Sequence, residues 1–310
     1  MTASTAVTPF VHAALLYRGD TEYLTGIVPF VTAGLAAGEP VAVSVPPRQL
    51  ALLRAELGSA AVDVRWLDMT EVGRNPGRII PTVLLAFADA HPDRTVRVIG
   101  EPVWPLRTAH EYPACVQHEA LINQAFASRS ATILCPYDVA RLREDAVVDA
   151  ATTHPMIADV TGSWPSDRFA PDVAVASGNV PLAAPADASA YTVDSPDMTG
   201  LRQLAAEFAV GHGLADERVA DLVLALTELA SNSIEHAHCE ATVLFGRDRA
   251  GLVCQVRDRG HITDPLAGRR PATTYQLRGR GLLLVNHLAD LVRVHTVAEG
   301  TTVEIWFRLA

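Results

Sequence analysis

The chain has 310 residues, more than one average domain and enough for two. Its composition, 49% hydrophobic and 19% charged, indicates packed globular structure and excludes disorder. A formal net charge of −10 argues against general affinity for nucleic acid or an anionic membrane. The four cysteines (Cys115, Cys135, Cys239, Cys254) form no CxxC pair, which reads as buried thiols in a reducing, cytoplasmic setting. The first residues lack a basic stretch followed by a long apolar core, so no signal peptide is expected. The longest apolar run, "IIPTVLLAFADAH", is too short for a bilayer and reads as a buried helix.

The first half alternates strand-like and helix-like segments. "HAALLY" reads as a strand, residues 21–37 as a helix, "PVAVSVP" as a strand, 48–58 as a helix and "VRWLDM" as a strand. A helix over about 77–90 precedes the strand "RTVRVIGEP", and a helix over 113–128 precedes the strand "ATILCPYD". Continuous apolar strands separated by helices predict a largely parallel sheet covered on both faces, an α/β layer domain over residues 1–160. Residues 161–187 are rich in Pro, Ala, Ser and Gly without a sustained period, and read as a linker.

The second half, 188–310, opens with the strand "AYTVDS". Ser195 and Pro196 then offer an N-cap and first helical position for a helix closed by Gly211 or Gly213. A second helix is expected over 217–237. The strands "EATVLFGRD" and "GLVCQVRDRG" follow, joined by a short turn around 249–251. An irregular basic segment covers 261–278, "GLLLVNHLADL" is a third helix, and "VRVHTVAEGTTVEIWFRL" is a hairpin turning near Glu299 and Gly300.

On a helical wheel of 217–237, Val219, Leu222, Val223, Leu226, Leu229, Ala230, Ile234 and Ala237 share one side, which should bury against a sheet. Glu228, Asn232, Glu235 and, at the margin, His236 share the other. Taken alone, the solvated face of an amphipathic helix accounts for them. Glu228 and Asn232 are neighbours one turn apart. A zinc site here is disfavoured, because His236 and His238 point in different directions and no third ligand is suitably spaced.

Two further features change that balance. "VRDRGH" places Asp258 and Gly260 just past a strand, and "LRGRGLLLV" places Gly279 and Gly281 directly before a helix. Glycine lets backbone approach a ligand closely, and a helix N-terminus offers unpaired N–H groups to phosphate. In order, "ELASNSIEHA", "DRG", "GRGL" and "GTTV" resemble the N box, the two glycine boxes and the closing Gly-Thr of the GHKL ATPase superfamily. Within it they most resemble the anti-sigma regulatory factors, which are ATP-binding serine kinases.

That resemblance implies a Bergerat two-layer α/β sandwich with a mixed sheet and ATP between the layers. It implies Asn232 as the Mg²⁺ ligand and Glu228 as the catalytic base for the attacking hydroxyl. Asp258 would accept from the adenine amine, Gly260 would let the base approach, and Thr301 would support the same contact. Gly279, Arg280, Gly281 and Leu282 would close on the phosphates, with His236 packing or hydrogen-bonding near them. Arg269, Arg270 and Arg278 could belong to an ATP lid or to a solvated surface. Two features depart from the pattern. Ile262 stands where the fuller first glycine box has a second glycine, and no phosphoacceptor-histidine helix precedes the domain.

In the first half, "HAALLY", "VRVIGEPVW", "CPYD" and "THP" resemble the MEDS sensory domain, which implies a RecA-like three-layer α/β fold without a P-loop. His12, Tyr17, Glu101, Trp104, Cys135, Tyr137, Asp138 and His154 are its polar or aromatic candidates. Strand ends in such sheets bind ligands. A small-molecule signal site and a purely structural or docking role stay equally open, and a redox or metal role for Cys135 with His12 or His154 is the least favoured. The expectation for the whole is a cytoplasmic regulator with ATP and Mg²⁺ as cofactors. It would bind a sigma factor or phosphorylate a STAS-type anti-anti-sigma partner, and kinases of the type it resembles often pair as homodimers. The rivals are an ATP-binding module without phosphoryl transfer and an orphan histidine-kinase-like protein.

Overall fold

In the computed structural model, which describes residues 10–248, 250–271 and 279–309, the apolar strands of the first half form one sheet. These strands are β1 (Val11–Tyr17), β2 (Val41–Val45), β3 (Val64–Asp68), β4 (Val96–Gly100), β5 (Ala131–Asp138), β6 (Met156–Asp159) and β7 (Gly162–Pro165). Their order is β3-β2-β4-β5-β1-β6-β7. Every pairing is parallel except β6 with β7. Every residue of β2 is buried, as expected for a strand covered on both faces. The helices Gly19–Ala36 and Pro47–Leu57 pack Tyr23, Ile27, Val31, Leu50 and Leu53 against Val41, Val43, Val45 and Ile99. Side chains of this size contribute about 1.5–3 kcal/mol each when fully buried.

The second half forms a separate sheet from β8 (Ser189–Val193), β9 (Ala241–Arg247), β10 (Gly251–Asp258), β11 (Leu291–Val297) and β12 (Gly300–Arg308), in the order β11-β12-β10-β9-β8. All four pairings are antiparallel. The mixed sheet expected here is therefore found in the first unit, where β7 is the antiparallel edge; the two-layer α/β arrangement holds. Three helices, Thr199–Gly211, Asp216–Asn232 and Gly281–Leu288, bury Leu201, Ala205, Leu222, Leu226, Leu229 and Val285 against Val243, Phe245, Cys254, Val256, Val303 and Ile305. On the strands these alternate with Gln255 and Glu304, which hydrogen-bond each other at 2.7 Å.

The chain divides into two compact units. One holds the described residues up to Arg74 together with Ile79–Gly178; the other holds Asn75–Arg78 and the described residues from Asn179. The stretch read as a linker is more structured than its composition suggested. Gly162–Pro165 adds the edge strand β7, where proline is tolerated. The short helix Pro171–Ser177 buries Ala174 against Val116 and Ala120. Beyond it the chain is pinned to the second sheet. The Asn179 amide donates to Thr296 O (2.8 Å) and accepts from Thr296 N (3.0 Å), and Gln255 donates to Ala183 O (2.6 Å).

Two helix limits also differ from the sequence reading. The helix expected from Ser195 begins at Thr199, where Asp197 accepts from the Thr199 N–H (2.9 Å). The helix expected over 217–237 is α-helical only over Asp216–Asn232, and continues as the π-turn Ser233–Ala237, which His238 ends in a left-handed conformation (φ 51°). Among the described residues, no helix is long and apolar enough to cross a membrane.

Candidate functional site

The π-turn is what builds the site. One extra residue in the turn rotates the end of the helix, as π-bulges do at many functional sites. Ser233, the first residue of that turn, is buried, and its hydroxyl donates to Asp258 Oδ2 at 2.6 Å. The other oxygen, Oδ1, accepts from the Gly260 N–H at 2.7 Å. Ala237 comes to lie against Gly260, where a Cβ would stand only 2.6 Å from the Ala237 Cβ. Glycine at 260 is thus a packing requirement.

Across the sheet, Asp258 pairs in register with Thr301. The Thr301 hydroxyl donates to Gly260 O (2.8 Å) and lies 2.7 Å from the Thr296 hydroxyl. Thr296 in turn accepts from the Ile262 N–H at 3.0 Å. Thr301 therefore holds the loop after Asp258, and the carboxylate keeps lone pairs for a further donor. Gly300 closes the hairpin: a Cβ there would meet Asp258 O at 2.5 Å.

The second glycine segment arrives from the opposite side. Gly281 opens the Gly281–Leu288 helix, is buried, and faces Glu228 and Asn232. A Cβ at 281 would lie 2.8 Å from Glu228 Oε2, 3.1 Å from Asn232 Nδ2 and 3.2 Å from Asn232 Oδ1. A carboxylate, a primary amide and a helix N-terminus therefore converge on one point that only glycine leaves open. Gly268, with φ +71°, packs against Leu282, whose carbonyl carbon would lie 2.9 Å from an added Cβ.

Between these segments lies a cavity of about 480 Å³, within the usual range for small-molecule sites. Of the residues named from the sequence, Asn232, His236, Asp258, Gly260, Gly279, Gly281, Leu282 and Thr301 line it. Glu228 and Arg280 do not line it: Glu228 sits against Gly281, and Arg280 is the exposed N-cap of the last helix. The apolar wall comes from Leu229, Val256 and Val303. Ile262 also lines the cavity, so the departure from the glycine pattern falls inside the site. Arg269 is buried rather than solvated, Arg270 pairs with Asp264, and Arg278 lies outside the described residues.

Sequence reading missed Ser233. The signal was present: at 100° per residue Ser233 falls with Leu226, Leu229 and Ala230, and a serine on an apolar stripe needs a buried partner.

In the first unit, Tyr17 and Asp138 end the paired strands β1 and β5, and Glu101 follows β4. The Tyr17 hydroxyl donates to Glu101 Oε1 (3.2 Å), while Glu101 Oε2 is buried without a hydrogen-bond partner among the described residues. Burial pushes the Glu101 carboxyl up to about 8, so it is largely protonated at neutral pH. Trp104 lies under Arg107, whose guanidinium carbon is 3.8 Å from the ring centroid. His12, Cys135 and His154 meet around Glu119, on a different element from any named candidate.

The MEDS family, the MEthanogen/methylotroph, DcmR Sensory domain, matches residues 11–155, and the histidine kinase-like ATPase domain matches residues 192–307. The first unit is thus similar to a MEDS sensory domain and the second to a histidine kinase-like ATPase domain. No curated protein matches it. Among solved structures, the RsbU and RsbW domains of Rv1364c from Mycobacterium tuberculosis are similar at 21% identity. That match covers 39% of this chain and 32% of that one at a TM-score of 0.29, so the chain spans about a third of its length and the likeness is too slight to bear on function.

Proposed function

We infer that the ATPase-like unit binds Mg-ATP and acts as an anti-sigma factor and serine kinase toward a STAS-type anti-anti-sigma partner, under control of a small-molecule signal at the MEDS domain. One observation carries this reading: Glu228, Asn232 and the N-terminus of the last helix converge on Gly281 beside the cavity. The donor set suits the ligand. The Asn232 amide oxygen is a hard donor for Mg²⁺, which would neutralise phosphate charge, and the bare Gly281 backbone leaves room for phosphate. Asp258, held by Ser233 and Gly260, presents its remaining lone pairs to an adenine amine. In transfer, the partner serine oxygen bonds to the γ-phosphorus and the bond to the β-phosphate oxygen breaks. ADP leaves, and Glu228 takes the hydroxyl proton.

Calorimetry with ATP and Mg²⁺ tests the site. Asn232→Ala should bind at least about tenfold more weakly, a loss of about 1.4 kcal/mol; equal affinity in both proteins would remove the site. Labelled ATP with purified STAS-domain proteins tests the reaction, with Glu228→Gln expected to bind ATP and transfer no label. Ile262 in the cavity favours a second reading, an ATP-binding regulatory module without transfer. Tight ATP binding with no labelled partner would select it.

A further inference from the structure

Four buried side chains meet head to head in the MEDS domain. His12 on β1, Glu119 on the Tyr112–Ala125 helix, Cys135 on β5 and His154 just past the Glu144–Thr153 helix are each at most 1% exposed. Glu119 Oε2 lies 3.4 Å from His12 Nε2, 3.4 Å from His154 Nε2 and 3.3 Å from Cys135 Sγ. Cys135 Sγ lies 3.5 Å from His12 Nε2, and one donor atom from each residue falls within 4.8 Å of all the others. Zinc–ligand bonds of about 2.0–2.3 Å place the corners of a tetrahedron roughly 3.3–3.6 Å apart. Four of the six edges already have that length.

The outer hydrogen bonds aim both rings inward. His12 Nδ1 faces Asn123 Oδ1 at 3.1 Å, and the Asn123 amide is oriented by donating to Thr153 O (2.8 Å) and Ala120 O (3.0 Å). His154 Nδ1 faces Ala150 O at 2.9 Å. Both partners are acceptors, so each Nδ1 carries the hydrogen and each neutral ring turns a bare Nε2 toward Glu119. His154 Nε2 and Glu119 Oε1 have no hydrogen-bond partner among the described residues. Two bare nitrogens and a carboxylate facing one another, with a single thiol hydrogen among them, are costly in a dry interior. Protonating both imidazoles would place two like charges on rings whose centroids are 4.1 Å apart. A divalent cation resolves both problems, because with one carboxylate and one thiolate it makes the buried cluster neutral.

We propose that His12, Glu119, Cys135 and His154 form a closed zinc site that ties β1 and β5 to two helices inside the MEDS domain. Imidazole and thiolate select a borderline-soft transition metal over Mg²⁺ or Ca²⁺, and four protein ligands leave no open position, which marks a structural site. The site belongs to the other unit and does not depend on ATP binding.

The test begins with full-length protein from zinc-supplemented growth, analysed for metal. About one zinc per chain is expected. X-ray absorption should show one sulfur, two imidazoles and one further oxygen around it. Exchange into Co²⁺ should give a thiolate charge-transfer band that Cys135→Ser loses and Cys239→Ser keeps. Stripping with a chelator should lower the unfolding temperature, and zinc should restore it. No stoichiometric zinc after growth or refolding with the ion would overturn the proposal. So would a zinc shell without sulfur, a result read on the wild-type protein whether or not the variants fold.

Discussion

The two units keep their polar chemistry in opposite places. In the ATPase-like unit, Glu228, Asn232, Asp258 and Thr301 rim or flank an open cavity, and glycines at 260, 268 and 281 bring backbone up to them. In the MEDS-like unit, His12, Glu101, Glu119, Asp138 and His154 are buried on or just past the strands and the helices that cover them. A rim can receive a ligand large enough to fill about 480 Å³. A buried cluster can satisfy its groups only with one another, a proton or an ion. The first arrangement is built for exchange, the second for retention.

Gly281→Val should break the first arrangement most severely. Its Cβ alone would stand 2.8 Å from Glu228 Oε2 and 3.1 Å from Asn232 Nδ2. ATP affinity measured by calorimetry should fall by about a hundredfold, or about 2.7 kcal/mol. Unchanged affinity would show that ATP, if bound, does not use this corner.

A pH effect tests the second arrangement, in the MEDS-like unit. Glu101 is raised from 4.5 to about 8, first by burial and then by the charge of Asp138, with the Tyr17 hydrogen bond opposing. A raised carboxyl favours the folded state fully below the unfolded value. That advantage drains away as pH climbs from about 4.5 through about 8, by up to about 1.4 kcal/mol per unit. Glu101→Gln has no proton to lose, so its stability relative to wild type should grow across that window. Urea unfolding at pH 5, 6.5 and 8 measures the difference, and parallel curves for the two proteins would refute the buried-acid description.

Ser233→Ala should be milder. It deletes the 2.6 Å hydrogen bond to Asp258 Oδ2. The expected cost is about 1 kcal/mol in unfolding free energy, with a weaker ATP affinity because Asp258 loses one of its two fixed partners.

How much could be read from the sequence follows the same division. The strand "ATILCPYD" occupies residues 131–138 in the structure without adjustment, and the two glycine segments stand at the end of β10 and the start of the Gly281–Leu288 helix. Local rules suffice there, because alternation, continuous apolar runs and glycine before a helix are written within a few residues. The π-turn was not legible, because the contacts that accompany it are distant: Ser233 meets Asp258, 25 residues on. Nor was Glu119 legible as a partner of His12, Cys135 and His154. Its place inside an ordinary helical stretch gives no sign that two strands and the end of another helix will converge on it. The linker reading failed for a related reason, because Pro and Ala composition cannot show that Asn179 and Ala183 will find partners on β11 and β10.

Two glycine substitutions give the finest test of the contrast between requirement and tolerance. Gly211 ends a helix, and nothing lies within 4 Å of a Cβ added there. Gly211→Ala should therefore stabilise the protein by about 0.4–1 kcal/mol, chiefly by restricting the unfolded chain. Gly260 has no positive φ among the described backbone outliers either, so conformational freedom is not the reason for its glycine. An added Cβ would instead strike Ala237 at 2.6 Å and approach Asp258 Oδ1 at 3.0 Å. Gly260→Ala should cost about 1–3 kcal/mol as overpacking does. The doubly small variant Gly260→Ala with Ala237→Gly should recover most of that loss, because it removes the atom that is struck. Thermal unfolding of the three variants separates the two explanations: recovery in the double variant assigns Gly260 to packing, and none would assign it to the backbone.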